Sequence, residues 1–149
     1  MSILKILTIP EPSLRQKSVA MKPAEILKLK PLFLDMIETM YNADGVGLAA
    51  AQIGKNIRLA VIGKEGTPDK KDWILINPKI VKHSWKRVKD EEGCLSVPGV
   101  RKEVARFAKI TIKAFDVKGQ PLNFQAEDLF ARVIQHEIDH LDGILIVDK

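Results

Sequence analysis

Residues 127–141 read EDLFARVIQHEIDHL and combine an apolar pattern with a polar motif. The apolar residues of the core stripe are Phe130, Val133, Ile134, Ile138 and Leu141. This spacing predicts an amphipathic helix over residues 127–141, because side chains three and four positions apart lie on one helix face. The Asp142-Gly143 pair that follows is typical of a helix end.

The same segment contains the pattern H-E-x-x-H at His136, Glu137 and His140. Histidines four residues apart lie on one helix face, so one metal ion can bind a ring nitrogen of each. Glu137 lies beside them, where it can accept a proton from a water molecule held at the ion. The pattern therefore predicts a hydrolytic metal site. The competing interpretation is two unrelated histidines on a polar helix face.

A hydrolytic metal site generally has three protein ligands and an open position, so a third ligand is required. No histidine follows His140, and the only acids after it are Asp142 and Asp148, so we expect an upstream ligand. Cys94, the only cysteine, is the candidate. The residues alone favour a second interpretation, in which Cys94 is a buried free thiol that packs as a small apolar side chain. The remaining histidine, His83, is expected at the surface.

The rest of the chain predicts short strands and one further helix. We expect this helix over residues 23–43, with Pro31 in its first turn. Strands are expected over residues 57–62, 73–76, 79–83, 109–115 and 144–147, with a hairpin turn at residues 117–120. These elements predict an α+β fold, in which short antiparallel strands pack around the helix near the C-terminus.

The composition excludes several classes of protein. The chain has 149 residues, of which 46% are hydrophobic and 29% charged, which predicts one folded domain and excludes a disordered chain. No apolar run approaches the roughly 18 residues that cross a bilayer. We predict a cytoplasmic setting, because the N-terminus has no signal-like pattern and one cysteine forms no internal disulfide.

The charge is modestly positive. The net charge is +5, but the basic residues are scattered and we expect no aromatic stacking platform among them. This argues against recognition of single-stranded or sequence-specific nucleic acid.

Two further motifs lie upstream of the predicted metal helix. One is Glu92-Gly93-Cys94-Leu95-Ser96, and the other is GVGLAAAQ at residues 45–52. With residues 135–140, they resemble the peptide deformylase family, which carries G-x-G-L-A-A-x-Q, E-G-C-L-S and Q-H-E-x-D-H in this order. The resemblance covers essentially the whole chain. It implies a single catalytic domain over residues 1–149, without the C-terminal helical extension that many members have.

The resemblance also implies a set of site residues. Cys94, His136 and His140 would bind one divalent metal ion, generally Fe(II) in this family, with Zn(II), Ni(II) or Co(II) able to substitute. Glu137 would activate water for attack on the formyl group of an N-formyl-methionyl chain, with release of formate. The side-chain amide of Gln52 and the backbone N–H of Leu95 would stabilise the oxyanion.

The resemblance further implies how a nascent peptide would bind. The segment that contains Gly47 would pair with the peptide as an added strand, with Gly93 opposite. The residues implied in substrate binding are Val46, Gly47, Gly93, Arg101, Leu129 and Val133. The ribosome is a further implied partner. The expected absence of the C-terminal extension weakens this implication.

Three alternative functions stay open at this point. H-E-x-x-H alone also fits a zinc peptidase that cuts internal peptide bonds. Cys94 with a histidine could form a cysteine hydrolase, which would be indifferent to a chelator. A catalytically inactive basic module on RNA or the ribosome would tolerate Glu137→Gln. Only the deformylase interpretation explains all three motifs.

Overall fold

The computed structural model describes residues 2–149. The α-helices are α1 (Pro23–Ile26), α2 (Lys30–Asn42) and α3 (Asp128–Leu141). The strands are β1 (Gly47–Ala49), β2 (Leu59–Ile62), β3 (Trp73–His83), β4 (Arg87–Cys94), β5 (Val97–Phe107), β6 (Lys109–Phe115) and β7 (Pro121–Glu127). Among these residues, no helix is long and apolar enough to cross a bilayer.

The strands form two sheets. The larger sheet has the order β1-β2-β3-β6-β7, and every neighbouring pair in it is antiparallel. Strands β4 and β5 form a separate antiparallel pair. The predicted α+β class with short antiparallel strands is therefore confirmed.

The larger sheet lies between α2 and α3 at the β2 end. Leu59 and Val61 of β2 belong to the apolar cluster that contains α2, whereas Ile62 belongs to the cluster that contains α3. Alternate residues of a strand point to opposite faces, so the two helices cover opposite faces of the sheet. Helix α3 also contacts β5 of the smaller sheet. The predicted central position of this helix is therefore confirmed.

The helix predicted over residues 23–43 has two parts. Short α1 is followed by a 3₁₀ turn at Leu27–Leu29, and α2 then begins with Pro31 in its first turn. Proline has no N–H to donate to the preceding turn, so the helical ladder restarts there.

The strands predicted over residues 73–76 and 79–83 are one strand, β3. The Asn77-Pro78 break is an irregularity inside it, with a register shift between Ile76 and Lys79 opposite β6. Asn77 adopts a positive φ of 52°, and its side chain bonds both the N–H and the carbonyl of Met21. These bonds hold the bulge in place, so the pairing continues beyond the proline.

The strand predicted over residues 144–147 is wrong. Ile146–Asp148 form a 3₁₀ turn, and the Asp148 carboxylate accepts the N–H of Leu145 at 2.8 Å. Leu145 and Ile146 are buried. Their apolar character therefore reflects burial in a capped turn and not strand pairing.

Strands β4 and β5 were not predicted, because charged residues obscure the alternation along them.

The turn before β4 corrects the expectation that no aromatic residue lies among the basic residues. Trp85 lies between Lys82 and Lys86 and is fully exposed, so an aromatic ring does stand among the basic residues.

Gly143, which follows α3, packs against the backbone of the N-terminal segment and leaves no space for a side chain. It has a φ of 76°, and a Cβ atom there would lie 2.4 Å from the carbonyl oxygen of Arg15. We expect Gly143→Ala to lower the free energy of unfolding by about 3 kcal/mol or more in urea titrations. Gly119→Ala is the control, because Gly119 has a φ of 78° but its nearest neighbour would be a side-chain atom at 3.8 Å. It should cost only about 1 kcal/mol, and equal losses would contradict the steric argument.

Candidate metal centre and active site

Three chain segments meet at the site. Helix α3 carries His136, Glu137 and His140, and strand β4 ends at Cys94. The 3₁₀ turn Ala50–Ile53, which follows β1, carries Gln52. The structure therefore brings together residues from all three sequence motifs.

The predicted ligand atoms converge. The Cys94 Sγ atom lies 3.2 Å from His140 Nε2, which lies 3.1 Å from His136 Nε2. All three donor atoms lie within 4.8 Å of one another. In a tetrahedral site with bonds of about 2.0–2.3 Å, ligand atoms are roughly 3.3–3.7 Å apart. Small shifts of the three side chains would therefore bring the donor atoms to the separations that an ion requires.

The surroundings of the two histidines differ. Burial lowers the pKa of His140 to about 3, and the neighbouring His136 adds to this effect. Burial also opposes a charge on His136, but hydrogen bonds with Cys94 and Glu92 outweigh it and raise the pKa of His136 to about 10. The raised pKa means that a positive charge on the His136 ring is favoured. A metal cation bound in the cluster would supply this positive charge in place of the proton. One thiolate and two imidazoles suit Zn(II), Fe(II), Co(II) or Ni(II), so the donor set fits a divalent ion.

Glu137 borders the cluster with a carboxylate oxygen that no protein group satisfies. The residue is only 3% exposed, and its Oε1 atom has no hydrogen-bond partner among residues 2–149. A Cβ atom on Gly47 would lie 2.5 Å from Glu137 Oε2, so only glycine lets β1 pass this close. Burial raises the pKa of Glu137 to about 7. A carboxyl group with such a pKa can both accept and return a proton near neutral pH.

The Gln52 amide is fixed beside the same cluster. The backbone N–H of Ala49 donates to Gln52 Oε1 at 3.0 Å, which orients the amide nitrogen towards β4. That nitrogen donates to Ser96 Oγ at 3.1 Å and lies 3.9 Å from Cys94 Sγ. Leu95 stands in the two-residue turn between β4 and β5, directly after the cysteine. Ser96, whose role was not foreseen, lies in the E-G-C-L-S motif.

Buried charges support His136. Glu92 Oε1 accepts the ring N–H of His136 at 2.9 Å, and Glu92 also accepts two hydrogen bonds from Arg106. Arg106 is only 4% exposed and also contacts Asp139 of α3. Arg132 lines the cavity and bonds Glu92 and two backbone carbonyls, so it joins this network to the cavity wall. No sequence pattern distinguished Arg106 from the other basic residues.

A cavity of about 700 Å³ opens onto the cluster. Its lining includes the predicted residues Val46, Gly47, Gln52, Gly93, Cys94, Leu95, Arg101, Leu129, Val133, His136 and Glu137. Val133 is buried, whereas Val46 and Leu129 are partly exposed. His140 is almost completely buried and is absent from the lining. The structure thus brings the sequence-predicted residues together, with His140 behind the cavity wall.

Comparisons with known proteins agree with this arrangement. The family model described as "Polypeptide deformylase" matches residues 3–149. A peptide deformylase of Desulfotalea psychrophila is 47% identical over 150 residues, which cover 99% of this chain and 88% of that protein. The crystal structure of peptide deformylase from Thermotoga maritima has a TM-score of 0.92 and 37% identity, with 100% of this chain and 98% of that chain covered.

A further solved structure contains a short peptide. It is a class I type b peptide deformylase from Acinetobacter baumannii with bound Met-Ala-Ser, with a TM-score of 0.94 and 30% identity. The match covers 100% of both chains. Family match, sequence identity and fold similarity all extend over nearly the whole chain. The chain therefore belongs to the polypeptide deformylase family of metal-dependent hydrolases, which confirms the family, the fold and the enzyme class predicted from its three motifs.

Proposed function

We propose that this chain hydrolyses the formyl group from the N-terminal formyl-methionine of newly synthesised polypeptides, releasing formate. The observation that carries the proposal is the position of Glu137 and Gln52. Both line the cavity together with Cys94 and His136, and His140 lies directly behind its wall. This places a proton acceptor and a hydrogen-bond donor beside a candidate metal site, the combination that amide hydrolysis requires.

Cys94, His136 and His140 would hold one divalent ion. Fe(II) is the ion we propose, with Zn(II), Ni(II) or Co(II) able to substitute, which the donor set supports. When bound, a divalent ion supplies a Lewis acid that lowers the pKa of a water molecule towards neutrality. Glu92 would keep the His136 ring in place by accepting its N–H, as such acceptors do in many metal sites.

Glu137 would move the proton in two steps. Its carboxylate accepts a proton from the attacking water, whose oxygen forms a bond to the formyl carbon. It then returns the proton to the peptide nitrogen as the carbon–nitrogen bond breaks, so that formate and a free α-amino group leave. The burial that raises its pKa to about 7 supports both roles.

Gln52 and Leu95 would stabilise the negative charge that develops on the formyl oxygen. The hydrogen bond from Ala49 fixes the Gln52 amide before substrate arrives, so little reorganisation is needed. The Leu95 backbone N–H follows Cys94 in the tight turn between β4 and β5.

The cavity suits a methionyl peptide. Val46, Leu129 and Val133 would surround the methionine side chain, and all three line the cavity. Gly47 and Gly93 would pair with the peptide backbone, and Arg101 would lie near its later residues. The Met-Ala-Ser found in the Acinetobacter baumannii relative is the kind of peptide that such a reaction leaves.

Three wider features belong to the same proposal. Residues 1–149 would form one catalytic domain, which the family match over residues 3–149 supports. Nascent peptides would be the substrates, since relatives over nearly the whole chain are peptide deformylases. A cytoplasmic setting and a contact with the ribosome stay predictions from the sequence.

Formyl-Met-Ala-Ser and acetyl-Met-Ala-Ser distinguish the candidate activities. We expect the Fe(II)- or Ni(II)-loaded protein, prepared without oxygen, to release a free amine from the formyl peptide alone. A chelator should abolish the reaction, and added metal should restore it. Internal cleavage would indicate a peptidase, and chelator-resistant cleavage would indicate Cys94 as a nucleophile. No reaction by the folded, metal-loaded protein would contradict the proposal.

A further inference from the structure

The segment from Trp73 to Lys89 has an unbalanced charge. It contains five cations, Lys79, Lys82, Lys86, Arg87 and Lys89, and no acidic residue. The net charge of the whole chain is +5. The first acid in the following sequence is Asp90, in the middle of β4. The turn between β3 and β4 is therefore a concentrated positive region on a chain whose charges otherwise nearly balance.

This turn also presents the most exposed large apolar side chain among the described residues. Trp85 is 100% exposed, although tryptophan normally buries much of its ring. We define the basic tip as Lys82, Trp85, Lys86, Arg87 and Lys89. All five residues are exposed, and none of the four cations forms an ion pair within residues 2–149.

The backbone beneath Trp85 is well anchored. Ser84 N–H donates to the carbonyl of Lys109 at 2.9 Å, and Ser84 Oγ donates to the carbonyl of Lys86 at 2.8 Å. Next to the turn, His83 stacks on Phe107 with ring centroids 3.8 Å apart, and the Arg87 guanidinium lies 5.4 Å from the same ring. The tryptophan therefore projects from an ordered turn, which reduces the conformational entropy lost when it binds a partner.

We propose that the basic tip binds RNA through a single-stranded segment, without sequence preference. Trp85 stacks on an unpaired base, and the surrounding cations contact the neighbouring phosphates. An aromatic ring surrounded by cations is the arrangement that single-stranded nucleic acids bind, since every base offers an aromatic face. Because no acidic side chain pairs with these cations, they can neutralise phosphates. Neutralised phosphates release their condensed counterions, which favours binding.

Charge and area favour this partner over a lipid surface. Among residues 2–149, the exposed large apolar side chains near the tip besides Trp85 are Val81 and Val88, at 39% and 42% exposure. Insertion into a membrane interface needs a continuous apolar face, which one ring and two half-exposed valines do not provide. The choice of RNA over DNA rests on the proposed function, because a nascent polypeptide is attached to RNA while it is made.

The position of the tip leaves the active site free. Strand β4 runs from Arg87 at the tip to Cys94 at the metal cluster, a distance of about 24 Å for a strand of this length. None of the five tip residues lines the cavity. RNA bound at the tip would therefore hold the enzyme near its substrates without covering the cavity.

Fluorescence anisotropy of a fluorescein-labelled 20-nucleotide oligoadenylate RNA tests the proposal. In about 50 mM KCl, Trp85→Ala should weaken binding roughly tenfold, and Trp85→Phe should retain most of it. Lys86→Glu/Arg87→Glu should weaken binding by at least tenfold and reduce the slope of log Kd against log salt by about 1.4. Activity on the formyl peptide should stay within twofold of the wild type in every variant.

The chain offers matched controls in the 3₁₀ turn after α1 and at the first residue of α2. Leu27 is 74% exposed, and Lys28 and Lys30 are exposed. Leu27→Ala and Lys28→Glu/Lys30→Glu remove the same kinds of group elsewhere, and each should change the RNA Kd less than twofold. Equal loss in these controls would show that only net charge matters, which would overturn the proposal.

Three other results would also overturn it. One is RNA binding that Trp85→Ala does not change, and another is tighter binding of the same sequence as DNA. The third is Trp85-dependent binding to phosphatidylglycerol vesicles with no Trp85-dependent RNA binding, which would identify a membrane contact. The anisotropy assay does not use the catalytic reaction. A protein that binds RNA through Trp85 but does not cleave the formyl peptide would contradict the proposed function and leave this binding site standing.

Discussion

Glu137→Gln is expected to lower kcat on a formyl-methionyl peptide by roughly 10³-fold while the protein still folds and binds its metal ion. The amide has the same shape as the carboxylate but cannot accept the proton of the attacking water. Cys94, His136 and His140 remain, so the proposed ligand set is unchanged. The loss should therefore be in kcat, with a much smaller change in KM.

The same substitution should not lower stability. The Glu137 carboxylate is almost completely buried, and burial raises its pKa to about 7, which shows that the charged form is disfavoured there. A neutral amide avoids this cost. We expect the free energy of unfolding of the Glu137→Gln variant at pH 8 to equal or exceed that of the wild type. The carboxylate would then be retained for catalysis at the expense of stability.

Three measurements separate these effects. They are steady-state kinetics, metal content per chain and urea titration. Glu127→Gln is the control, because Glu127 is exposed, precedes α3 and makes no capping hydrogen bond with its side chain. It should change kcat less than twofold. A metal-loaded Glu137→Gln protein with more than a tenth of the wild-type kcat would exclude Glu137 as the proton acceptor.

The parts of the fold that sequence predicted correctly depend on local patterns. Helix α3 begins at Asp128 and ends at Leu141, within one residue of the prediction, because its apolar stripe and the following Asp142-Gly143 pair are local signals. The candidate metal ligands, Glu137 and Gln52 were predictable because each of them lies in one of three short sequence motifs. The order of these motifs specified a family, and the family match over residues 3–149 confirms it.

The parts that sequence did not predict depend on long-range contacts. The carboxylate of Asp148 caps the turn at Leu145, so an apolar segment that resembles a strand has no strand partner. Arg106 is buried because the pairing of β4 with β5 and the packing of α3 place it against Glu92 and Asp139. Glu92 and Asp139 are both distant from Arg106 in the sequence. The residues around Arg106 therefore look like those around any basic residue in a charged strand.

The Glu92 network should have the largest effect on stability. Glu92 accepts hydrogen bonds from Arg106, Arg132 and His136 and is itself only 7% exposed. Glu92→Gln leaves buried arginine charge without its main partner, which typically costs about 3–5 kcal/mol. The same change removes the acceptor that orients His136. We expect metal affinity to fall roughly 10- to 100-fold, measured by competition with a chelating dye.

The stability loss should depend on pH. Burial alone would raise the pKa of Glu92, but hydrogen bonds from Arg106 and His136 hold this pKa well below its usual range. The unfolded chain therefore takes up the proton first as the pH falls, so the contribution of Glu92 is complete only above its unfolded pKa of about 4.3. The difference in unfolding free energy between wild type and Glu92→Gln should be largest near neutral pH. It should shrink steadily below about pH 4.

Glu91 provides the matched control for this prediction. It precedes Glu92 in β4, but its side chain is 67% exposed and its partner Arg101 lies at 3.6 Å. Exposed ion pairs contribute little, so Glu91→Gln should lower the free energy of unfolding by less than about 0.5 kcal/mol and leave metal affinity unchanged. If both substitutions had similarly small effects, the buried charges would not stabilise the protein, and Glu92 would not be the group that orients His136. A large loss confined to Glu92→Gln would mean that one carboxylate both joins β4 to α3 and positions a metal ligand.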